Sequence, residues 1–331
     1  MQIPSNKIRF ALPSKGRMGK STLEFLEKCG LRIHRKNRDY IGSIAMFPDV
    51  QIVFQNQSDI IRGIEGGSLN FGIVGFDLVS ELMNSYSSET VIIHENLEFG
   101  RCNLELAIPE EWSAQSLEEV FVSNKKIRIA TKFPRCTERF LENYRTQFEI
   151  IEGKGALEVY PALNYCDIIV DLVSSGETLQ ANRLKQIQNG CILSSQAVFI
   201  GNRFSLEQPE VLEIARQLLE YFEAYLRGKK YVQIFANMKE ADPRELTRKL
   251  FALPELSGLQ GPTISPVYTP SGQTWNAIHI IVPKNQLQKV IRALRSIGGS
   301  GVIVSPTLYI FEEEPLCYRQ LLLTINGKGV N

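Results

Sequence analysis

The sequence predicts an α/β protein built as two lobes and followed by a smaller module of strands and helices. Three observations lead there. Strand-like and helix-like stretches alternate from Ile8 onward. Long extended runs interrupt the alternation at Val91–Glu95 with Cys102–Pro109, and again at Cys191–Gly201. After an amphipathic stretch, Pro209–Arg227, the elements change to a β-α-β-β-α-β order.

The first lobe opens with an apolar strand at Ile8–Leu12, a helix at Lys20–Cys29, a strand at Val50–Phe54 and a helix at Ser58–Glu65. Ser58 and Asp59 start that last helix and Gly66-Gly67 stop it. A strand at Phe71–Val74 and a helix at Phe76–Met83 follow, and the alternation predicts parallel strands. The extended runs then carry the chain into a second unit: strand Lys126–Thr131, helix Cys136–Tyr144, strand Phe148–Ile151, strand Ile168–Val170 and helix Thr178–Ile187. Cys191–Gly201 brings it back, leaving a cleft between the lobes where a small molecule could sit.

In Pro209–Arg227 the apolar Val211, Leu212, Ile214, Leu218, Leu219 and Phe222 recur near the 3.6-residue helical period. Strands at Tyr231–Phe235, Thr263–Tyr268, Trp275–Val282 and Val302–Tyr309, with helices at Asp242–Leu253 and Leu287–Ile297, complete a ferredoxin-like module. Asp242-Pro243 supplies the N-cap and first residue of its first helix.

Composition narrows the classes of function. At 331 residues the chain exceeds one ordinary core. Its 37 basic and 36 acidic residues give no bias toward nucleic acid or an anionic membrane, so neither is an expected partner. The start Met1-Gln-Ile-Pro-Ser-Asn has no signal-peptide apolar region and no apolar run is long enough to span a bilayer, so a cytoplasmic protein is expected. Six scattered cysteines contain no Cys-x-x-Cys pair, and His34, His94 and His279 are far from metal-ligand spacing. A magnesium ion carried by a phosphorylated substrate stays open, because it needs few protein ligands.

The most informative stretch is Asp167-Ile-Ile-Val-Asp171-Leu-Val-Ser174-Ser175-Gly176-Glu177-Thr178-Leu179. A buried strand runs into hydroxyls, an unobstructed glycine and a helix start, where oriented N–H groups favour an anion. Asp171 lies at the strand's carboxyl end, where open α/β sheets place ligand residues. A carboxylate beside a phosphate nest fits a phosphorylated sugar or a metal ion; the plain alternative is a structural turn capped by Ser174 or Ser175. Two basic loops are further candidates. Ser14-Lys15-Gly16-Arg17 follows a strand and misses the P-loop pattern for want of a glycine at position 14, though Lys15 and Arg17 can bind a polyphosphate through charge-assisted bonds. Thr131, Lys132 and Arg135 form a second candidate anion site, so that a basic loop from each lobe would face one cleft.

The segment Glu158-Val-Tyr-Pro161-Ala-Leu-Asn-Tyr-Cys-Asp167 through Asp171, Ser175-Gly176, Thr178 and Leu179 resembles the signature of the ATP phosphoribosyltransferases. Matches recur in order at Ser14–Arg17, Phe71–Gly75, Phe99–Cys102, Arg128–Pro134, Ala181-Asn182, Pro262–Pro266 and Ile297–Gly301. The resemblance is to the long form, and it implies two catalytic lobes like those of type II periplasmic binding proteins plus a regulatory domain of ACT type. It implies lobe I over 1–106 and 192–228, lobe II with the phosphoribosyl pyrophosphate loop over 107–191, and the regulatory domain over 229–331. The implied reaction is magnesium-dependent transfer of phosphoribosyl to N1 of ATP, in a homo-oligomer of dimers up to a hexamer. Ser174, Ser175, Gly176, Glu177 and Thr178 would cradle the 5-phosphate and Asp171 would hold the ribose hydroxyls, with Asp171 and Thr178 as the catalytic pair. Lys15, Gly16, Arg17 and Lys132 would lie toward the polyphosphate. Asn237, Leu259, Thr263, Ile281 and Gly301 would match positions for feedback by histidine.

The chain departs from that pattern at Asn56 (arginine in the family), Ile61 (proline), Asn70 (aspartate), Asn164 (glycine), Cys166 (a small residue) and Asn237 (aspartate). An asparagine at 237 only hydrogen-bonds an effector's ammonium, which implies weaker histidine binding. Two other readings remain at this point: a non-catalytic paralogue that senses a ligand between its lobes, and a P-loop-like NTPase.

Overall fold

The computed structural model describes residues 7–36, 39–83, 89–122, 126–144, 146–240, 242–268, 270 and 274–327. The chain forms two compact units, Met1–Arg216 with Leu316–Asn331, and Gln217–Pro315.

The first unit begins with β1 (Ile8–Pro13), α1 (Gly16–Lys28), β2 (Ile33–Arg35), β3 (Ile41–Ile44), β4 (Phe47–Gln55), α2 (Gln57–Glu65), β5 (Phe71–Gly75), α3 (Phe76–Leu82) and β6 (Thr90–His94). It continues with β7 (Cys102–Pro109), α4 (Leu117–Phe121), β8 (Ile127–Thr131), α5 (Pro134–Leu141), β9 (Phe148–Glu152), β10 (Ile168–Val173), α6 (Glu177–Ala181) and β11 (Leu184–Ser195). Then β12 (Ala197–Asn202) and α7 (Arg203–Leu206) return to the first sheet and lead into α8 (Pro209–Gly228).

These strands form two sheets, ordered β2-β3-β4-β1-β5-β12-β6 and β11-β7-β10-β8-β9. In each, one strand pairs in parallel with two others, β1 with β4 and β5, and β8 with β9 and β10. The strand that has just crossed from the other lobe, β12 or β7, then adds antiparallel. This doubled layout, two α/β lobes joined by two crossings, is that of the type II periplasmic-binding-protein fold. The sheets are therefore mixed and not parallel throughout, because a crossing strand enters each from the opposite direction. Phe10, Phe71 and Phe199 interlock in the first core with ring centroids 5.5–6.4 Å apart. The second lobe packs Leu104, Leu106, Ile129, Phe133, Ile168 and Val170 around its sheet.

Two expected helices differ. The helix expected over Lys20–Cys29 starts at Gly16, so the basic loop is largely its first turn. The helix expected over Thr178–Ile187 stops at Ala181, and Leu184–Ser195 is a strand. Arg183 takes a left-handed φ of 57° and ends the helix. Register shifts between Gln186 and Leu193 break the two-residue alternation of β11. Its buried positions 184, 187 and 190 thereby fall three apart, which imitates a helical period.

The second unit contains β13 (Tyr231–Met238), α9 (Pro243–Phe251), β14 (Thr263–Tyr268), β15 (Thr274–Pro283), α10 (Leu287–Ser296) and β16 (Gly299–Pro306). The sheet order β14-β15-β13-β16 is that of a ferredoxin-like domain. Val232, Ile234, Ala236, Ile278, Ile280 and Val282 form one face and pack with Leu246 and Leu250 of α9 and Val290 and Leu294 of α10. α11 (Leu316–Ile325), grouped by sequence with this module, belongs to the first unit: Arg203 Nη1 donates to Thr324 O at 3.1 Å.

Candidate functional site

The turn after β10 enters a short helix, α6, through a glycine. Gly176 sits at the N-cap of α6 with φ 80°, a left-handed conformation that glycine adopts without a Cβ penalty. Among the described residues no side chain caps this helix. The structural alternative, Ser174 or Ser175 as cap, is therefore not what the turn does; both serines are exposed and the N-cap is Gly176. Buried Leu179 anchors the turn from below, in a cluster with Ala107, Ala130, Leu157, Cys166 and Ile169. Ser174→Ala and Ser175→Ala are accordingly expected to leave stability within about 0.5 kcal/mol of the natural chain, checked by urea unfolding.

Asp171 and Lys132 are brought together by strand register. Val170 of β10 pairs with Thr131 of β8, so the next residues of the two strands are neighbours. Lys132 Nζ lies 3.6 Å from Asp171 Oδ2, and Asp171 Oδ1 accepts the Leu172 N–H at 2.8 Å. Burial raises the Asp171 carboxyl above its ordinary range; the Leu172 N–H and the Lys132 ammonium oppose that rise and Glu158 adds to it.

The second anion site expected at Thr131, Lys132 and Arg135 is already filled by a carboxylate of the protein. Glu81 of α3, in the other lobe, accepts the Arg135 and Cys136 N–H groups at 3.0 and 2.9 Å. Thr131 turns inward, its Oγ1 accepting the Phe133 N–H at 3.0 Å. Of that trio only Lys132 faces the turn after β10. Glu81 carries no sequence signal; it lies 54 residues from Arg135 and meets it only in the fold.

Lys15 and Ser174 line two different pockets, while Arg17 of the same basic loop reaches the edge of the Ser174 pocket. A pocket of about 390 Å³ is walled by Arg101, Cys102, Asn103, Val173, Ser174 and Ser194–Gln196. Arg17 stands at its rim, donating to the Arg101 carbonyl at 3.2 Å. A second pocket of about 400 Å³ opens at the carboxyl ends of β1 and β4, lined by Lys15, Tyr40, Phe54, Gln55, Asn56 and Asp59 among others. Burial pushes the Cys136 and Cys166 thiols up to about 11, which keeps them protonated at neutral pH.

Most departures from the family pattern have a structural reason. Asn164 adopts φ 57°, the left-handed region where asparagine is the nearest substitute for glycine. Its Oδ1 and O also accept the Arg128 guanidinium at 2.9 and 3.0 Å. Cys166 is buried in a cluster with Ala107, Ala130, Leu157 and Ile169, and Ile61, on α2, is buried in the core of the first lobe. Asn70 Oδ1 accepts the Arg9 N–H at 2.8 Å, a bond that asparagine makes as well as aspartate. Asn56 is at the N-cap of α2 and lines the Lys15 pocket.

In the second unit Asn237, Thr263 and Ile281 lie on the sheet face opposite α9 and α10. They do not form one cluster. A Cβ at Gly301 would meet Asn237 Nδ2 at 3.8 Å, while Ile281 lies four residues along β15 from Asn237's partner Ala277, about 13 Å away. Leu259 joins the Ile281 end, donating its N–H to Ile281 O at 2.9 Å.

Residues 56–223 match the family model described as ATP phosphoribosyltransferase, and residues 228–307 match its C-terminal domain. The chain is 40% identical over 331 residues to "ATP phosphoribosyltransferase 2, chloroplastic" of Arabidopsis thaliana, covering 96% of this chain and 80% of that protein. It is 32% identical to an ATP phosphoribosyltransferase of Methanococcus maripaludis, covering 90% of this chain and 98% of that one. Among solved structures, a chain of the Thermotoga maritima ATP phosphoribosyl transferase (HisG:HisZ) complex superposes with a TM-score of 0.52 at 24% identity, covering 65% of this chain and 96% of that chain, and so shares the fold. This chain belongs to the ATP phosphoribosyltransferase family, in the long form that carries a C-terminal domain.

Proposed function

We propose that the chain transfers the phosphoribosyl group of phosphoribosyl pyrophosphate to N1 of ATP with release of pyrophosphate, the first step of histidine biosynthesis. The observation that carries this reading is the uncapped turn from Ser174 to Thr178 with Asp171 held beside it. Ser174, Ser175, Gly176, Glu177 and Thr178 receive the 5-phosphate, and Asp171 accepts hydrogen bonds from the ribose hydroxyls. Lys132, Lys15, Gly16 and Arg17 lie toward the polyphosphate groups, and the Lys15 pocket has the size to hold part of the nucleotide. As the bond from N1 to the anomeric carbon forms, the bond from that carbon to pyrophosphate breaks, and its electron pair leaves with pyrophosphate. No side-chain nucleophile is needed. The other two readings, a ligand sensor and an NTPase, are not favoured by the family.

A carboxylate largely withdrawn from water next to an anion cradle fits a magnesium ion that arrives with its substrate, and Asp171 is the residue that would hold it. When bound, magnesium neutralises charge on the departing pyrophosphate. Histidine inhibition through Asn237, Leu259, Thr263, Ile281 and Gly301, a homo-oligomer of dimers up to a hexamer, the division into lobes at 106, 191 and 228, and a cytoplasmic location complete the proposal. The open sheet face that carries exposed Phe235 and Ile303 supports association through the second unit. Among the described residues no helix is long and apolar enough to cross a membrane.

Incubating the chain with ATP, magnesium and phosphoribosyl pyrophosphate is expected to give an absorbing adduct and pyrophosphate, and phosphate release from ATP alone would sink the reading. The Asp171 environment adds a pH test. The carboxylate must be ionised to accept the hydroxyls, so kcat/KM for the sugar substrate should fall as pH drops through its raised value. Lys132 holds that value down, so in Lys132→Ala the acid limb moves to higher pH; an unmoved limb would separate Asp171 from the rate.

A further inference from the structure

The two crossings between the lobes meet in a short ribbon, and one buried carboxylate ties that ribbon down. Ser195 pairs with Cys102 across the second sheet, and beyond them Ala197 N donates to Phe99 O at 2.9 Å. The first turn of α3 grips this junction: Phe76 N donates to Gln196 O at 2.9 Å and Asp77 N to Ser195 Oγ at 2.9 Å. Ser195 Oγ–H donates in return to Asp77 Oδ1 at 2.5 Å. Asp77 is 5% exposed, and its carboxylate folds so closely over Gly75 that a Cβ there would collide with Oδ1. Ser194, Ser195 and Gln196 with Arg101–Asn103 are also the wall of the pocket that Ser174 lines. None of them lines the pocket at Lys15.

We propose that Asp77 is a positioning residue for the sugar-phosphate half of the reaction: through Ser195 it holds the crossing ribbon in place as the wall facing Ser174. This rests on the proposed function, and it separates the two substrates. Loosening the ribbon disturbs the Ser174 pocket and leaves the Lys15 pocket as it is.

The test uses the full chain with Asp77→Ala, Asp77→Asn and Ser195→Ala, following adduct formation while each substrate is varied and unfolding by denaturant. Asp77→Ala is expected to raise KM for phosphoribosyl pyrophosphate about 10-fold, the scale of one lost hydrogen bond to a charged group, with KM for ATP within about twofold. Asp77→Asn keeps an acceptor oxygen for Ser195 and should restore most of the loss. Ser195→Ala, which leaves the carboxylate in place, should reproduce it and serves if Asp77→Ala does not fold. An unchanged KM for the sugar substrate in the alanine variants, or equal losses for both substrates in step with lost stability, overturns the proposal. Should the natural chain form no adduct, the proposed function fails, and calorimetric titration with phosphoribosyl pyrophosphate then decides this point: weaker binding by Asp77→Ala than by the natural chain upholds it, and equal or absent binding overturns it.

Discussion

Asp171→Ala is expected to lower kcat/KM for adduct formation by at least ~10²-fold, because it removes the charged acceptor proposed for the ribose hydroxyls. The fold should survive. Burial raises the carboxyl of Asp171, so its ionised form is held in the folded state at a cost that alanine removes. Lys132, its partner at 3.6 Å, is half exposed and regains water when the carboxylate goes. The unfolding midpoint should therefore stay level or rise slightly while activity disappears, the pairing expected of a residue kept for function. Thr178→Val keeps the volume and removes one hydroxyl from the cradle, with a similar direction of effect. Steady-state rates beside urea unfolding check both variants, and full activity in either would remove the turn from the site.

Glu81→Ala should instead act on stability, by ~2–4 kcal/mol in the first unit. Its two oxygens satisfy the Arg135 and Cys136 N–H groups at the start of α5, and the side chain is only 5% exposed. Alanine would leave both donors without a partner in a place where water enters with difficulty, and would remove a negative charge from a helix N-terminus. Glu81→Gln keeps one acceptor oxygen and should cost about half as much. Trp112 packs beside the second-lobe core, so its fluorescence in a Trp275→Phe background follows unfolding of this unit. A midpoint unchanged in Glu81→Ala would mean the two lobes do not depend on this contact.

The strand-to-helix turn after β10 was legible because its strand, glycine and helix start are contiguous, and contiguous residues set local geometry. The ferredoxin-like order was legible for the same reason, each strand and helix carrying its own period. The contacts between lobes were not. Asp77 and Ser195 are 118 residues apart, and nothing in either neighbourhood announces the other. The basic run after β8 read as an anion site because sequence shows the cations and the helix start but not the Glu81 carboxylate that arrives from α3. β11 deceived in another way: its bulge sets the buried residues at a helix-like spacing, and pairing with β7 decided the conformation. At Asn164 the departure from glycine was visible, while the left-handed backbone that makes asparagine an adequate replacement was not.

The position of β12 between β5 and β6 has a consequence for how the chain is made. The first sheet cannot take up its edge strand β6 until residue 202 has left the ribosome, since the strand that joins β6 to β5 comes after the whole second lobe. Residues 102–195 supply every strand of the second sheet and can fold as a contiguous insert during synthesis. Until β12 arrives, the hydrogen-bonding edges of β5 and β6 have nothing between them, and that interval is when the nascent chain is most exposed to wrong pairing.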